Sequence, residues 1–254
     1  MDALGKVLER IKRAQENAEK TTKDTQTQYE CPICQDTLFI MQTDENGVER
    51  ATYCRCKEKK QARLLMKSSG ISEQDMAKGF NDFQTFDESP LIQAKQTAAR
   101  YCKDFEQIRD SRNNSLLLCG ASGRGKTTLG MIVANNLINK CVGVRYMPYR
   151  DEVTRLKQEI TEERIYNEHI NKLKNAKVLF IDDMLKGKIT ESDINIMYEI
   201  VNYRYLERLP LIISTESTPQ QLLNFDEAIG SRILEMSKGY AVVFDSSTLN
   251  YRLR

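Results

Sequence analysis

The chain has 254 residues, 40% hydrophobic and 29% charged, with a formal net charge of +2. A mean hydropathy of −0.54 and the lack of any apolar run near about 18 residues exclude a membrane-spanning helix. The N-terminus, Met1-Asp-Ala-Leu-Gly-Lys6, has no signal-peptide apolar segment, so the expected location is the cytosol, where free thiols stay reduced.

Residues 2–20 place Leu4, Val7, Leu8, Ile11, Ala14 and Ala18 at helical spacing. This short amphipathic helix suits packing on its own domain and docking on a partner equally well. A polar linker, Thr21 to Gln28, follows. Next come Cys31-Pro-Ile-Cys34 and Cys54-Arg-Cys56. Between the pairs, 36–53 reads as two short strands turning at Asn46-Gly47, a strong hairpin signal. The hairpin would bring Cys31, Cys34, Cys54 and Cys56 together as a closed tetrahedral Zn²⁺ site, structural because no position stays open for water. A module this small needs the metal's binding energy to fold. A redox dithiol is the rival reading of the first pair, disfavoured by the second pair and by the lack of a surrounding βαβ pattern. Cys102, Cys119 and Cys141 read as buried small apolar residues. From Arg50 to Lys67 the chain carries seven Lys/Arg against one Glu. This basic helix is either a solvated face or a surface for phosphate or an acidic protein.

Beyond it the pattern changes to alternating helices and strands. Helix is expected over Pro90–Arg109 and Leu129–Leu137, with one or two charged helices over Asp151–Lys174, then Ile194–Leu206 and Asp226–Met236. Strand is expected at Leu116–Cys119, Val142–Met147, Val178–Ile181, Leu211–Ser214 and Tyr240–Phe244. That alternation implies a parallel sheet in three layers, an α/β domain over 76–254 preceded by a small helical and zinc-binding module over 1–75. His169 sits among Glu162, Glu163 and Glu168 and is expected to be exposed, without a metal.

Two segments point to chemistry. Gly120-Ala-Ser122-Gly123-Arg124-Gly125-Lys126-Thr127 fits G-x-x-x-x-G-K-[ST] between a strand and a helix, the context a P-loop requires. Its backbone N–H groups and the helix N-terminus would cradle the phosphates of ATP, with Thr128 just inside the helix. Lys126 would reach the β/γ-phosphates, and the Thr127 hydroxyl would hold Mg²⁺. Asp182-Asp183 ends the apolar run Val178-Leu-Phe-Ile181, at the strand end where α/β sheets bind ligands. Asp182 would complete the Mg²⁺ shell. Asp183 would orient or deprotonate the attacking water; its alternative is a helix N-cap.

The run Asp182-Asp183-Met-Leu-Lys-Gly-Lys188, then Tyr198 to Tyr205, Pro210-Leu-Ile-Ile-Ser-Thr215-Glu216 and Gly230-Ser-Arg232-Ile233 resembles bacterial and phage replicative-helicase loaders of the DnaC/DnaI type, which are AAA+ ATPases. The cysteine knuckles followed by 57–71 resemble that group's N-terminal zinc module, so the likeness runs from about residue 30 to the end. It implies an AAA+ P-loop sandwich that oligomerises with ATP, grips single-stranded DNA and docks on a hexameric DnaB-type helicase. It further implies a sensor at Thr215, with Glu216 where the family usually has Asn. Arg232 takes the place of an arginine finger acting on the neighbouring subunit's ATP, and Arg252 that of a sensor on the chain's own nucleotide. Candidates for DNA contact are Arg145, Tyr146, Tyr149, Lys186 and Lys188, basic groups for phosphate and aromatics for stacking, each alternatively an ordinary surface residue. IstB-type regulators of transposition share the ATPase core but usually lack the cysteines. A nucleotide-switched scaffold without turnover is the third reading.

Overall fold

The computed structural model describes residues 29–45, 47–68 and 71–244. The amphipathic stretch at 2–20, Asn46 and Arg252 therefore lie outside the described residues. The chain divides into two compact units, Met1–Lys57 and Glu58–Arg254.

In the first unit, strands β1 (Phe39–Thr43) and β2 (Glu49–Tyr53) pair antiparallel, with Phe39 opposite Tyr53 and Thr43 opposite Glu49. Asp44 organises the turn. Its carboxylate accepts the Val48 amide at 3.0 Å and its carbonyl accepts the Gly47 amide at 2.9 Å. Before the hairpin, Cys31-to-Cys34 curls so that the Gln35 amide bonds the Cys31 carbonyl. After it, helix α1 (Cys56–Ser68) begins at the last cysteine.

The second unit takes in the rest of α1, whose Ala62 and Met66 are buried in its core. The division between the two units falls at Lys57/Glu58, whereas the helix–strand alternation is read as a junction at 75/76. Two short elements absent from the sequence reading follow, helix α2 (Glu73–Ala77) and a 3-10 turn (Phe80–Asp82). Then come α3 (Ser89–Ile108), β3 (Leu116–Gly120), α4 (Lys126–Asn139), β4 (Val144–Pro148), α5 (Tyr149–Glu159), α6 (Glu163–Lys174) and β5 (Val178–Met184). The chain continues through α7 (Glu191–Leu206), β6 (Leu211–Thr215), α8 (Pro219–Phe225), α9 (Glu227–Met236) and β7 (Ala241–Phe244). Helix α8 is a third such element, although Thr218 and Gln221 form a capping box with Pro219 at the first helical position, a signal legible in the residues alone.

The strands form one parallel sheet in the order β4-β5-β6-β3-β7. From β3, an inner strand, the chain crosses to the far edge through α4, then steps back through α5–α6, α7 and α8–α9 to β7. Right-handed crossovers running in opposite directions place their helices on opposite faces. Accordingly Leu116 and Leu118 of β3 pack with α3 and α4, while Leu117 and Cys119 pack with α5, α6, α7 and α9. Both faces are covered, which is why these strands read as unbroken apolar runs. Phe180, Leu179 and Ile212 are wholly buried, each contributing roughly 1.5–3 kcal/mol of transfer free energy. Among the described residues no helix is long and apolar enough to cross a membrane.

A buried cation ties the α6–β5 connection. Arg204, wholly buried on α7, donates from Nη1 to the carbonyls of Leu173, Lys174 and Ala176 and from Nη2 to that of Pro210, at 2.7–3.0 Å. Burial disfavours its charge; the carbonyls at the C-terminal end of α6 offset that through hydrogen bonds and the helix dipole.

Candidate functional site

The site lies at the C-terminal ends of β3, β5 and β6. At the end of β3, Gly120 has φ +125°, and a Cβ there would stand 2.0 Å from the Phe244 carbonyl oxygen. Only glycine allows the strands to stay this close while the chain turns into the loop. Gly125, in the left-handed region at φ +84°, is the N-cap of α4. It turns the first amides of the helix back toward the loop, so that an anion seated there meets unpaired N–H donors. Ser122, Gly123, Arg124, Gly125, Lys126, Thr127, Thr128 and Asp183 line a cavity of about 340 Å³. The cavity is also lined by Lys78, Asp82, Phe83, Gln84 and Phe86, which the sequence reading does not include. Three phenylalanines, Phe80, Phe83 and Phe86, at a spacing of three within a polar stretch were the available signal. Lys126 is largely buried, and its Nζ donates to the Ala121 carbonyl at 2.8 Å. Burial lowers its pKa, opposed by the charges of Glu216 and Asp183.

Asp182 is 6% exposed and receives three hydroxyls. Thr127 and Ser214 donate to Oδ1, and Tyr146 donates to Oδ2 at 2.9 Å. These bonds fix the carboxylate beside the Thr127 hydroxyl as a pair of hard oxygen donors at the mouth of the loop, the donor type Mg²⁺ prefers. Asp183 is different. Its φ of +53° lies in the left-handed region, a conformation that costs energy for a non-glycine residue. Its amide donates to Ser214 Oγ at 2.9 Å, so β6 holds the backbone while the side chain faces the cavity. Lys186 Nζ stands 2.8 Å from Asp183 Oδ2 and 3.3 Å from Glu216 Oε1. The hydrogen bond to Asp183 raises the lysine's pKa.

The structure redistributes several expected roles. Thr215 is wholly buried; its hydroxyl donates to the Met184 carbonyl and accepts the Ser217 amide, so it braces the end of β6. Glu216, beside it, is the residue facing the site's cations. Of the DNA candidates, Tyr149 is 1% exposed within the core, where no nucleobase could stack on it. Tyr146 is committed to Asp182 and lies edge-on to Phe180. Lys186 is committed to two carboxylates. Arg145 is half-buried at the sheet edge and Lys188 is exposed. Arg232 does not line the cavity: its Nη1 donates to the Ala228 carbonyl, and its guanidinium lies 5.5 Å from the Tyr198 ring and 5.4 Å from that of Tyr205. His169, expected to be exposed, has a side chain only 11% exposed between Glu152 and Glu159, at 2.6 and 2.7 Å, where it ties α5 to α6.

In the first unit the four cysteine sulfurs lie within 4.8 Å of one another and all four residues are buried. Cys31 is 3.8 Å from Cys54, and Cys34 is 3.3 Å from Cys56. Four sulfurs around one tetrahedral Zn²⁺ would be roughly 3.8 Å apart, given Zn–S near 2.3 Å, so the cluster could hold such an ion. The Cys34 amide lowers the Cys31 thiol to about 7, whereas burial raises that of Cys56.

A parallel sheet with a P-loop on an inner strand and an acid pair two strands away defines an AAA+ P-loop ATPase domain. Residues 48–253 match the model of the IstB-like ATP binding protein family, and the chain belongs to that family. It is 34% identical to the phage-like element PBSX protein XkdC of Bacillus subtilis (strain 168), across 98% of this chain and 97% of the relative. Among solved structures it is similar to DnaI (TM-score 0.55, 23% identity, 72% of this chain and 94% of that one) and to the DnaC helicase loader (TM-score 0.54, 17% identity, 68% and 99%). The membership implies ATP binding and hydrolysis.

Proposed function

We propose that the protein is an ATP-dependent loader that delivers a hexameric DnaB-type replicative helicase onto single-stranded DNA. The observation that carries this reading is the presence, in one chain, of the Lys126–Thr127–Asp182–Asp183 site and a buried four-cysteine cluster. The helicase-loader fold of its structural neighbours supports it.

In this reading the loop amides and Lys126 bind the phosphates, and Thr127 and Asp182 hold Mg²⁺. The ion, when bound, neutralises charge on the β- and γ-oxygens. Tyr146 and Ser214 keep Asp182 aimed at it. Asp183 orients the attacking water and accepts its proton. Arg232 serves a neighbouring subunit's nucleotide, a task suited to a permanently charged planar donor; that requires it to leave Tyr198 and Tyr205 on assembly, so ATP would signal assembly as well as fuel it. The sensor role of Arg252 is kept as part of the same proposal. Cys31, Cys34, Cys54 and Cys56 close around Zn²⁺ to stiffen the helicase-docking end, and Lys188 and Arg145 remain as phosphate contacts for DNA.

The test is co-purification with the host's replicative helicase in ATP, against a variant lacking residues 1–57. Capture of the helicase by the full chain and its loss on deletion support the reading; no capture in either case refutes it. The family match favours a second reading, an IstB-type regulator that remodels a transposase on DNA, which predicts capture of a transposase instead.

A further inference from the structure

The carboxylates around the cavity pose an electrostatic problem. Asp183 lines the cavity, Asp182 precedes it on the same strand, and Glu216 reaches the same lysine as Asp183, so three carboxylates gather at this end of the sheet. Asp182 alone is assigned to a cation of its own. Lys126 feels both Asp183 and Glu216, yet it is engaged with the loop. Glu216 directly follows β6, the strand between the P-loop strand and the acidic strand, and its charge acts on Lys126, the residue read as reaching the β/γ-phosphates. Uncompensated, it would repel the nucleotide.

Lys186 answers this. It comes from the turn after β5, where Leu185 is left-handed at φ +61° and the Lys186 amide bonds the Asp183 carbonyl. That turn folds the side chain back so that one ammonium spans Asp183 and Glu216. A lysine with three donors on a flexible stem can brace two carboxylates at once. We propose that Lys186 is a positioning residue of the nucleotide site: by bridging Asp183 and Glu216 it cancels the charge of Glu216 toward the γ-phosphate and aims Asp183 at the water. Lys186 and Glu216 form a matched pair, in which Glu216 is detrimental to ATP binding without Lys186. The inference rests on reading the cavity as the ATP site.

The experiment compares wild type, Lys186→Met, Glu216→Gln, the double variant and Lys126→Ala, measuring equilibrium affinity for ATP and for ADP, kcat and KM. Lys186 is a partly exposed turn residue, and melting temperatures verify folding. Lys186→Met should weaken ATP about tenfold or more, equivalent to ~1.4 kcal/mol, and ADP much less. Glu216→Gln in that background should restore most of the ATP affinity, because the unpaired charge is gone. The double variant's kcat should stay low, because Asp183 has still lost its brace. Wild-type ATP affinity in Lys186→Met, equal losses for ATP and ADP, or no rescue by Glu216→Gln would overturn the proposal while leaving the nucleotide site intact, provided Lys126→Ala loses both nucleotides. If wild type binds neither nucleotide, the site reading falls and the inference with it.

Discussion

The hydroxyl of Thr127, at the start of α4, donates to Oδ1 of Asp182, at the end of β5, across 2.9 Å. The two residues belong to different crossovers, and only the parallel sheet brings them together. Because Ser214 and Tyr146 also donate to Asp182, the carboxylate is held in place by three elements. Asp182→Asn would keep the shape but replace one acceptor oxygen with a donor. Hydrolysis should fall about 100-fold or more, since charge stabilisation of that order is at stake, and the Mg²⁺ concentration for half-maximal rate should rise. Phosphate release across a Mg²⁺ titration measures both.

Asp183→Asn should separate binding from turnover. ATP affinity should be retained or improved, while kcat drops by roughly 10²–10⁴, the range for loss of a general base. Single-turnover hydrolysis with single-stranded DNA and helicase present reads this out. If wild type hydrolyses no faster than the variant under those conditions, the chain is a nucleotide-switched scaffold.

The cysteine cluster predicts about one Zn²⁺ per chain by metal analysis, the stoichiometry of a Cys₄ site. Chelation should unfold the hairpin unit while the ATPase unit keeps its melting transition, because so small a module depends on metal binding for its folding energy. Cys34→Ser should act like the chelator. A folded, metal-free hairpin by NMR would contradict the assignment.

Arg204→Met removes a cation that satisfies four carbonyls. The methionine can fill the space but donates nothing. Stability should fall by about 3 kcal/mol, as expected when buried acceptors lose charged donors. Urea unfolding should show a lower midpoint with an unchanged slope.

Burial reorders the DNA candidates. Lys188→Ala should weaken single-stranded DNA binding and flatten its salt dependence, as loss of one phosphate contact does. Tyr149→Phe should leave it unchanged, since the tyrosine is in the core and its hydroxyl has no hydrogen-bond partner among the described residues. Equal losses in filter binding would restore Tyr149 as a contact.

Much of this was legible from residues alone because the signals were local. A buried parallel strand announces itself as consecutive apolar residues, which is how Leu116–Cys119 and Val178–Ile181 were recognised. The P-loop announces itself through glycines whose backbone freedom the loop requires, Gly125 among them. The knuckle spacing of Cys31 and Cys34 and the turn glycine at Gly47 likewise act within a few positions. Short helices such as α2 carry too few residues for a period to emerge, and α2 is tied to the core by Asn135 of α4, which donates to the carbonyls of Asp75 and Lys78.

The class of chemistry is written along the chain: a triphosphate loop, an acid pair, a four-thiol cluster and the alternation that makes a parallel sheet. Which side chains are free to act emerges only when the chain is folded. Tyr146 and Tyr149 look alike in sequence, but one hydroxyl orients Asp182 and the other ring is in the core. Lys186 and Lys188 are two residues apart, but a left-handed turn folds one onto Asp183 and Glu216 and leaves the other exposed. The physical reason is range: a strand or a loop motif is specified by neighbours along the chain, whereas burial and charge pairing are specified by neighbours across the sheet.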